Sequence, residues 1–193
     1  GNMRIGIFSG SFDPIHTGHA MIANFAAQWL GLDEVWIMVS PLNPLKKGSL
    51  PAPDTARMEM ASIVASGCNK VRASGFECSL PVPSYTYRTL TSLKDAYPEH
   101  EFSLIIGSDN WLRFSQWRDS DRIKSEFEIF IYPRPGYEVD IDTLPAGVSL
   151  MTEAPQALIS SSFVRESVKE GKNLNYFLPP EVFDYIIKNN LYR

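Results

Sequence analysis

Two histidines three residues apart are the side chains whose types and spacing most clearly suggest chemistry. His16 and His19 stand in a segment that also carries glycines and hydroxyl residues, Ser9-Gly10-Ser11-Phe12-Asp13-Pro14-Ile15-His16-Thr17-Gly18-His19. If a helix begins at Thr17, both imidazoles can face one ligand. Glycines let the backbone approach an anion closely, and hydroxyls and free helix N–H groups can donate to it. The segment therefore predicts a phosphate-binding loop, with a tight turn and two surface histidines as the alternative.

The phosphate-binding segment lies between a predicted strand and a predicted helix. Residues 3–8 are apolar and rich in strand formers, and residues 20–30 favour a helix that Gly31 would end. In an open parallel sheet, ligands collect at the carboxyl ends of the strands. The chain has neither a Walker lysine pattern nor a G-x-G-x-x-G pattern, which excludes the two common phosphate fingerprints.

Strand and helix patterns alternate along the rest of the chain. The predicted strands cover 34–40, 71–74, 102–106, 127–132 and 148–151, and the predicted helices cover 54–65, 86–96, 161–170 and 180–190. This alternation predicts an α/β fold, a doubly wound, Rossmann-like parallel sheet of five or six strands with helices on both faces. We expect one domain over residues 1–193, with the C-terminal helices from about residue 160 packed on the same sheet.

The net charge and the cysteine content indicate which classes of ligand and which cellular compartment to expect. The net charge of −4 argues against a general nucleic-acid binder but leaves nucleotides open as ligands. We recognise no signal peptide and no apolar run near the length of a membrane span, so no membrane partner is expected. Cys68 and Cys78 are the only cysteines and form no C-x-x-C pair, which favours a reducing cytoplasm.

Two further segments place polar groups at the ends of predicted elements. Gly107 and Asp109 follow the strand at 102–106, where an acid suits a ribose hydroxyl or a hydrated cation, although a helix N-cap is the simpler explanation from the residues alone. The segment 159–165 offers serine hydroxyls at a second predicted helix start. Arg165 in the first turn opposes the helix dipole, which hints at a bound anion that compensates.

The phosphate-binding segment resembles the H-x-G-H signature of the nucleotidyltransferase superfamily. In its fuller form, G-S-F-D-P-I-H-T-G-H, it resembles the bacterial nicotinate-nucleotide adenylyltransferases. I-S-S-S-F-V-R at 159–165 is similar to the superfamily's I-S-S-T-x-I-R, and P-S-Y-T-Y-R-T-L at 83–90 is similar to the family's P-S-Y-T-x-x-T-L. F-S-Q-W at 114–117 resembles the segment whose tryptophan stacks on the nicotinate ring. The resemblance implies transfer of the adenylyl group of ATP to nicotinate mononucleotide, which yields nicotinate adenine dinucleotide and pyrophosphate in NAD biosynthesis.

The resemblance also implies which residues bind ATP and which react. Catalysis is expected from His16, His19 and Arg165. The contacts to ATP are expected from the two helix starts and from the strand end between them: Ser9, Gly10, Ser11, Phe12, His16, Gly18, His19, Gly107, Asp109, Ile159, Ser161, Ser162 and Arg165.

The acceptor nucleotide is expected to lie against residues from three other segments. These are Lys46 or its neighbour Lys47, Tyr85 and Thr86, and the pair Trp117 and Arg118. Relatives often carry tyrosine where Arg118 stands, and a cation there could attract the nicotinate carboxylate. Mg²⁺ is expected to arrive with the ATP phosphates, without direct protein ligands.

Alternatives differ in the acceptor or in the class of protein. Nicotinamide mononucleotide has nearly the shape of the acid and stays open as acceptor. Phosphopantetheine adenylyltransferase shares S-F-D-P and the serine motif, but usually has threonine at position 16 and lacks the segments at 83–90 and around Trp117. The R-T-x-G-I-S-T motif of cytidylyltransferases is absent. Outside the superfamily stand a non-catalytic nucleotide sensor and a metal protein using Asp13, His16 and His19. A homodimer is left open.

Overall fold

A six-stranded parallel sheet forms the framework of the chain, in a computed structural model that describes residues 1–42 and 51–193. The strands are β1 (Arg4–Gly10), β2 (Glu34–Val39), β3 (Val71–Ser74), β4 (Glu101–Gly107), β5 (Glu128–Tyr132) and β6 (Val148–Leu150). They are ordered β3-β2-β1-β4-β5-β6, and every neighbouring pair is parallel. The predicted doubly wound α/β fold is confirmed, with six strands.

Helices connect the strands and complete the C-terminal part of the chain. They are α1 (Thr17–Trp29), α2 (Asp54–Ala65), α3 (Thr86–Ala96), α4 (Ser108–Trp111), α5 (Ser120–Glu126), α6 (Ser161–Lys169) and α7 (Pro180–Lys188). Short 3₁₀ turns cover Phe76–Ser79, Phe114–Gln116 and Ile141–Thr143. The sequence pattern does not predict α4 and α5, since four and seven residues are too few to show a helical period.

Two apolar layers sandwich the sheet. On one face α1, α2, α6 and α7 pack against side chains such as Phe8, Ile37 and Ile105. On the other face α3 and α5 pack against side chains such as Ile7 and Leu104. Neighbouring residues of one strand thus point to opposite layers, as the pleat requires. The C-terminal helices belong to the same apolar layer as α1.

The strand order reverses between β1 and β4. From β1 the chain continues to β2 and β3 on one side, and from β4 it continues to β5 and β6 on the other. The two strands are paired, with Phe8 opposite Ile105, and end at Gly10 and Gly107. In such sheets a crevice opens beyond the carboxyl ends of the strands, where the connections diverge. The phosphate-binding segment begins at this point.

The described residues include no helix that is both long and apolar enough to span a membrane.

Candidate functional site

A cleft of about 480 Å³ opens at the carboxyl edge of the sheet. Three segments line it: the start of α1, the residues that follow β5, and the approach to α6. Its lining includes Ser11, His16, Gly18, His19, Tyr132, Arg134, Ile159, Ser161, Ser162 and Arg165. The two helix starts expected to receive phosphate therefore converge on one cleft.

The two histidines cap the first helix and fix each other. The Nδ1 atom of His16 accepts a hydrogen bond from the backbone N–H of Gly18 at 3.0 Å, and the Nδ1 atom of His19 accepts one from the backbone N–H of His16 at 3.1 Å. The rings stack with centroids 3.7 Å apart. Since both Nδ1 atoms are acceptors, the proton of each neutral imidazole sits on Nε2. Nε2–H is the donor that each ring can offer to a ligand in the cleft.

Burial keeps both imidazoles neutral. Burial, with a smaller contribution from the nearby Arg134 cation, lowers the pKa of His16 from 6.5 to about 4. Burial also lowers the pKa of His19 well below its ordinary value, with smaller contributions from His16 and Arg134. At pH 7 the pair therefore acts as two neutral hydrogen-bond donors.

Backbone N–H groups contribute less at this helix start than the sequence suggested. The N–H of Thr17 donates to the carbonyl of Phe177 at 3.2 Å, and the N–H of Gly18 donates to His16. Both donors are thus used within the protein. At α1 the imidazoles, rather than these two N–H groups, face a ligand.

Close packing sets the position of the imidazoles. A Cβ atom on Gly18 would lie 2.9 Å from Cε1 of His16, so only glycine allows this approach. The Phe12 ring is 2% exposed and meets the His19 ring edge-on at 5.0 Å. Phe8 in turn packs against Phe12 at 5.3 Å. Phe12 supports His19 from the core, and any contact of Phe12 with ATP would come from its backbone.

The second helix start is tied to the first by a hydrogen bond. Ser160 caps α6, since its Oγ accepts from the N–H of Phe163 at 3.1 Å. The next residue, Ser161, donates its hydroxyl to the carbonyl of Pro14 at 2.8 Å. This bond holds the start of α6 against the loop that precedes α1. Ile159 lines the cleft just before this cap.

Arg165 reaches from α6 to the same loop. Its Nη1 donates to the carbonyl of Asp13 at 2.8 Å, and its Nη2 donates to Oγ of Ser162 at 3.2 Å. These contacts fix the guanidinium on the wall of the cleft. Arg165 is the fifth residue of α6 and so lies just beyond the first turn in which the sequence pattern placed it, where the helix dipole has little effect.

Arg134 is a cleft residue that sequence reasoning missed. It follows β5 in a Pro-Arg-Pro-Gly sequence, which predicts only a turn. In the structure it lines the cleft, with Nη1 3.5 Å from Oδ2 of Asp109. The sequence signal that could have identified Arg134 is its position directly after β5, because β5 ends at the same sheet edge as β1 and β4.

Gly107 lies outside the lining of the cleft, as does Asp109. The Oδ1 atom of Asp109 is buried and has no hydrogen-bond partner within residues 1–42 and 51–193. A Cβ atom on Gly107 would lie 2.5 Å from this oxygen, so glycine makes room for the carboxylate. Gly107 is itself the N-cap of α4 and Ser108 accepts from the N–H of Arg134 at 2.8 Å, so neither Ser108 nor Asp109 serves as the cap.

The remaining residues expected to bind ATP lie at the base of the phosphate loop. Ser9 and Gly10 are the last two residues of β1, and the carbonyl of Gly10 accepts from the N–H of Ser40 at 2.9 Å. Ser11 follows them and lines the cleft.

The residues expected to bind the acceptor form a separate group at the start of α3. Tyr85 is the N-cap of α3 and Thr86 is its first residue. The guanidinium of Arg118 lies 4.7 Å from the centre of the Tyr85 ring, in a cation–π contact. Trp117 is half-buried and packs on Phe114, with ring centroids 4.9 Å apart. None of the four lines the 480 Å³ cleft. Lys46 lies outside the described residues.

A buried carboxylate joins this group to the end of β2. Glu77 is 4% exposed, and its oxygens accept from the hydroxyl of Ser40 and, at 2.9 Å, from that of Thr89 in the first turn of α3. The start of α3 is therefore fixed beside β2, a neighbour of β1 in the sheet.

The trio of Asp13, His16 and His19 is not arranged as a metal site. Oδ1 of Asp13 accepts from the N–H of Ala52 at 3.0 Å and from the hydroxyl of Tyr192 at 2.5 Å. Both histidine Nδ1 atoms are also engaged. Within the part of the chain that the structure describes, no three His, Cys, Asp or Glu residues cluster as metal ligands would.

The chain is similar over nearly its whole length to proteins of one family. Residues 7–167 match the cytidylyltransferase-like family. A protein of Bacteroides fragilis named "Probable nicotinate-nucleotide adenylyltransferase" is 49% identical, over 96% of this chain and 92% of its own length. A protein of the same name from Flavobacterium johnsoniae is 43% identical, over 99% of this chain and 100% of its own length.

Solved structures with the same fold carry a related name. The nicotinic acid mononucleotide adenylyltransferase of Plasmodium falciparum, complexed with NaAD, superimposes with a TM-score of 0.82 at 23% identity, over 98% of this chain and 97% of that one. The same protein complexed with APC gives a TM-score of 0.81. The match over residues 7–167 and the relatives at 49% and 43% identity show that the chain belongs to the cytidylyltransferase-like family and, within it, to the nicotinate-nucleotide adenylyltransferases.

Proposed function

We propose that this protein transfers the adenylyl group of ATP to nicotinate mononucleotide, forming nicotinate adenine dinucleotide and releasing pyrophosphate. The observation that carries the proposal is the convergence of two helix starts, two neutral imidazole donors and Arg165 on one cleft. Such a cleft suits a polyphosphate chain. The names of the relatives support the choice of the pyridine nucleotide as acceptor.

The reaction needs alignment and charge stabilisation more than proton transfer. The 5′-phosphate of the acceptor is already an anion at pH 7, so no general base has to activate it. An oxygen of this phosphate forms a bond to the α-phosphorus of ATP, and the bond from that phosphorus to the bridging oxygen of the β-phosphate breaks. The electron pair leaves with pyrophosphate. Catalysis then consists of aligning two anions and stabilising the charge that develops on the oxygens.

Each wall of the cleft has a part in this chemistry. His16 and His19 donate Nε2–H to phosphate oxygens, while Arg165 and Arg134 supply positive charge from opposite segments. A bound triphosphate would raise the pKa of both histidines, because a nearby anion favours the protonated ring. The imidazoles can thus meet a growing negative charge with stronger hydrogen bonds.

Mg²⁺ is proposed to accompany the ATP phosphates. Asp109 does not line the cleft, but it contacts Arg134, which does, and its Oδ1 atom is buried without a hydrogen-bond partner among the described residues. That oxygen could hold a water ligand of the ion, or a ribose hydroxyl. When bound, Mg²⁺ would neutralise part of the charge on the leaving pyrophosphate.

Acceptor choice is proposed to depend on the group at the start of α3. The Arg118 guanidinium is held over the Tyr85 ring, where its positive charge can pair with a nicotinate carboxylate. The neutral amide of nicotinamide gains no such charge pair. Trp117 offers an aromatic surface for the pyridine ring. These contacts favour nicotinate mononucleotide over its amide.

We further propose that the protein works in the cytoplasm on these two small-molecule substrates alone, without nucleic acid or membrane partners. A homodimer remains an expectation.

An acceptor panel tests the proposed function. Purified protein with Mg²⁺ and ATP is given nicotinate mononucleotide, nicotinamide mononucleotide, phosphopantetheine or no acceptor, and both pyrophosphate and the dinucleotide product are measured. We expect the highest kcat/KM with nicotinate mononucleotide. Equal or higher kcat/KM with phosphopantetheine would contradict the assignment. ATP binding without pyrophosphate release would favour the sensor.

A further inference from the structure

Tyr192 is a buried tyrosine in the segment that follows α7. Its side chain is 7% exposed and belongs to the same apolar layer as Phe8. Its hydroxyl donates to Oδ1 of Asp13 at 2.5 Å, across 179 residues of sequence. A buried phenol needs such a partner, because a lost hydrogen bond to water is otherwise not replaced. The segment after α7 is therefore joined to the phosphate loop.

Asp13 is the point at which several parts of the site meet. Its side chain is buried, and Oδ1 accepts from the N–H of Ala52 at 3.0 Å in addition to Tyr192. Its backbone carbonyl accepts from Nη1 of Arg165 at 2.8 Å. A movement of Asp13 would thus displace the carbonyl that anchors Arg165.

Arg57 holds the same region from the other side. It is fully buried, and its Nε donates to the carbonyl of Ala52 at 3.1 Å. Its Nη1 donates to the carbonyls of Ser11 and Ser40, both at 2.7 Å. Ala52 is consequently fixed at both backbone groups, by Asp13 and by Arg57. The hydroxyl of Tyr192 is the second donor to the same carboxylate oxygen, Oδ1 of Asp13, beside the N–H of Ala52.

The phenol of Tyr192 stays protonated in this setting. Burial, followed by the hydrogen bond and the charge of Asp13, raises its pKa, while Arg165 and Arg57 act in the opposite direction. Tyr192 is therefore a constant donor to Asp13 over the whole physiological range.

We propose that Tyr192 is a positioning residue for adenylyl transfer: by holding the Asp13 carboxylate, it fixes the carbonyl that anchors Arg165 on the wall of the cleft. The proposal rests on the proposed function. Tyr192 does not line the cleft, so its effect must pass through Asp13. Since Arg165 is expected to meet charge that develops during the reaction, misplacing it lowers kcat more than it weakens ATP binding.

The test compares two tyrosine-to-phenylalanine variants. Tyr192→Phe removes the hydroxyl and keeps the ring in the core, while Tyr97→Phe removes a hydroxyl on the opposite face of the sheet, where Tyr97 packs on Trp36. We expect Tyr192→Phe to lower kcat roughly 10- to 100-fold, as small misplacements do elsewhere, with KM for ATP changed less than about threefold. Tyr97→Phe should keep normal kinetics. A lower Tm for Tyr192→Phe with unchanged kcat would make its role structural only and overturn the proposal.

A double variant shows whether the effect passes through Asp13. In an Asp13→Ala background, the additional change Tyr192→Phe should alter kcat less than about twofold, because the partner of the hydroxyl is already gone. The same fold-loss in both backgrounds would overturn the proposal.

An NMR measurement separates failure of this proposal from failure of the proposed function. If the wild-type protein transfers no adenylyl group, the proposed function fails, but the Nε–H signal of Arg165 still reports its environment. Tyr192→Phe should shift that signal and Tyr97→Phe should not. An unchanged Arg165 signal in Tyr192→Phe would overturn the positioning role whatever the activity.

Discussion

The imidazole of His19 stacks on that of His16 with ring centroids 3.7 Å apart, and each ring accepts a backbone N–H through Nδ1. Neither ring can turn without losing a capping hydrogen bond of α1. The helix start therefore fixes both the orientation and the tautomer of the pair. This explains how two neutral groups can act as oriented donors to a phosphate.

Replacing His19 should remove one of these donors. We expect His19→Ala to keep the fold and to lower kcat by roughly 10²–10³, the usual effect of losing one donor to a transition-state oxygen. Steady-state kinetics with ATP and nicotinate mononucleotide measures this loss. His100→Ala is the matched control, because His100 accepts from the N–H of Met3 at 3.2 Å, at the opposite edge of the sheet. Near-normal turnover of His19→Ala would contradict the role given to the pair.

The lowered pKa of His16 should make stability fall with acid. The folded-state pKa of about 4 lies below the ordinary 6.5, so between these values the unfolded chain binds a proton that the folded chain does not. The free energy of unfolding should therefore be unaffected by His16 above pH 6.5 and decrease as the pH falls toward 4. Between pH 6.5 and pH 4, His16 lowers the free energy of unfolding by an amount on the order of 3 kcal/mol.

His16→Asn tests this dependence, since asparagine can still accept from the N–H of Gly18. Urea unfolding at a series of pH values should give a shallower acid slope for the variant, with the remaining slope due in part to His19. Parallel curves for the two proteins would show that His16 is not held neutral by burial.

Arg118 should set the preference for an acidic acceptor. We expect Arg118→Gln to raise KM for nicotinate mononucleotide about fivefold, equivalent to ~1 kcal/mol, because a partly exposed charge pair is lost. KM for nicotinamide mononucleotide and for ATP should change less than about twofold. Arg122→Gln is the control, since Arg122 makes a similar contact 5.8 Å from the Tyr87 ring. An equal rise of KM for both acceptors would show that Arg118 does not recognise the nicotinate carboxylate.

Much of the fold could be predicted because its signals are local. Strands such as β1 and β4 are apolar runs that end in glycine, and α3 covers the predicted 86–96. The start of α2 shows the limit. Aspartate is a common N-cap residue, but the N-cap of α2 is Pro53, and the Asp54 carboxylate pairs with Arg57 instead.

The site was harder to predict where contacts join distant segments. Both histidines and Arg165 could be identified, because their motifs are contiguous in the sequence. Arg134 and Tyr192 could not, since Arg134 lies within an ordinary turn sequence and Tyr192 is bonded to a residue 179 positions away. Such roles depend on which strands are neighbours in the sheet, and no single segment of the sequence predicts the strand order.

The stereochemical course at the α-phosphorus tests direct in-line transfer most sharply. ATP that carries sulfur at the α-phosphate in one configuration is converted with nicotinate mononucleotide, and the configuration of the dinucleotide is determined by ³¹P NMR. A cleft that only aligns and stabilises two anions requires a single displacement, so we expect inversion. Retention of configuration would require a covalent adenylyl-enzyme formed by a nucleophile, and would contradict the donor roles of His16, His19 and Arg165.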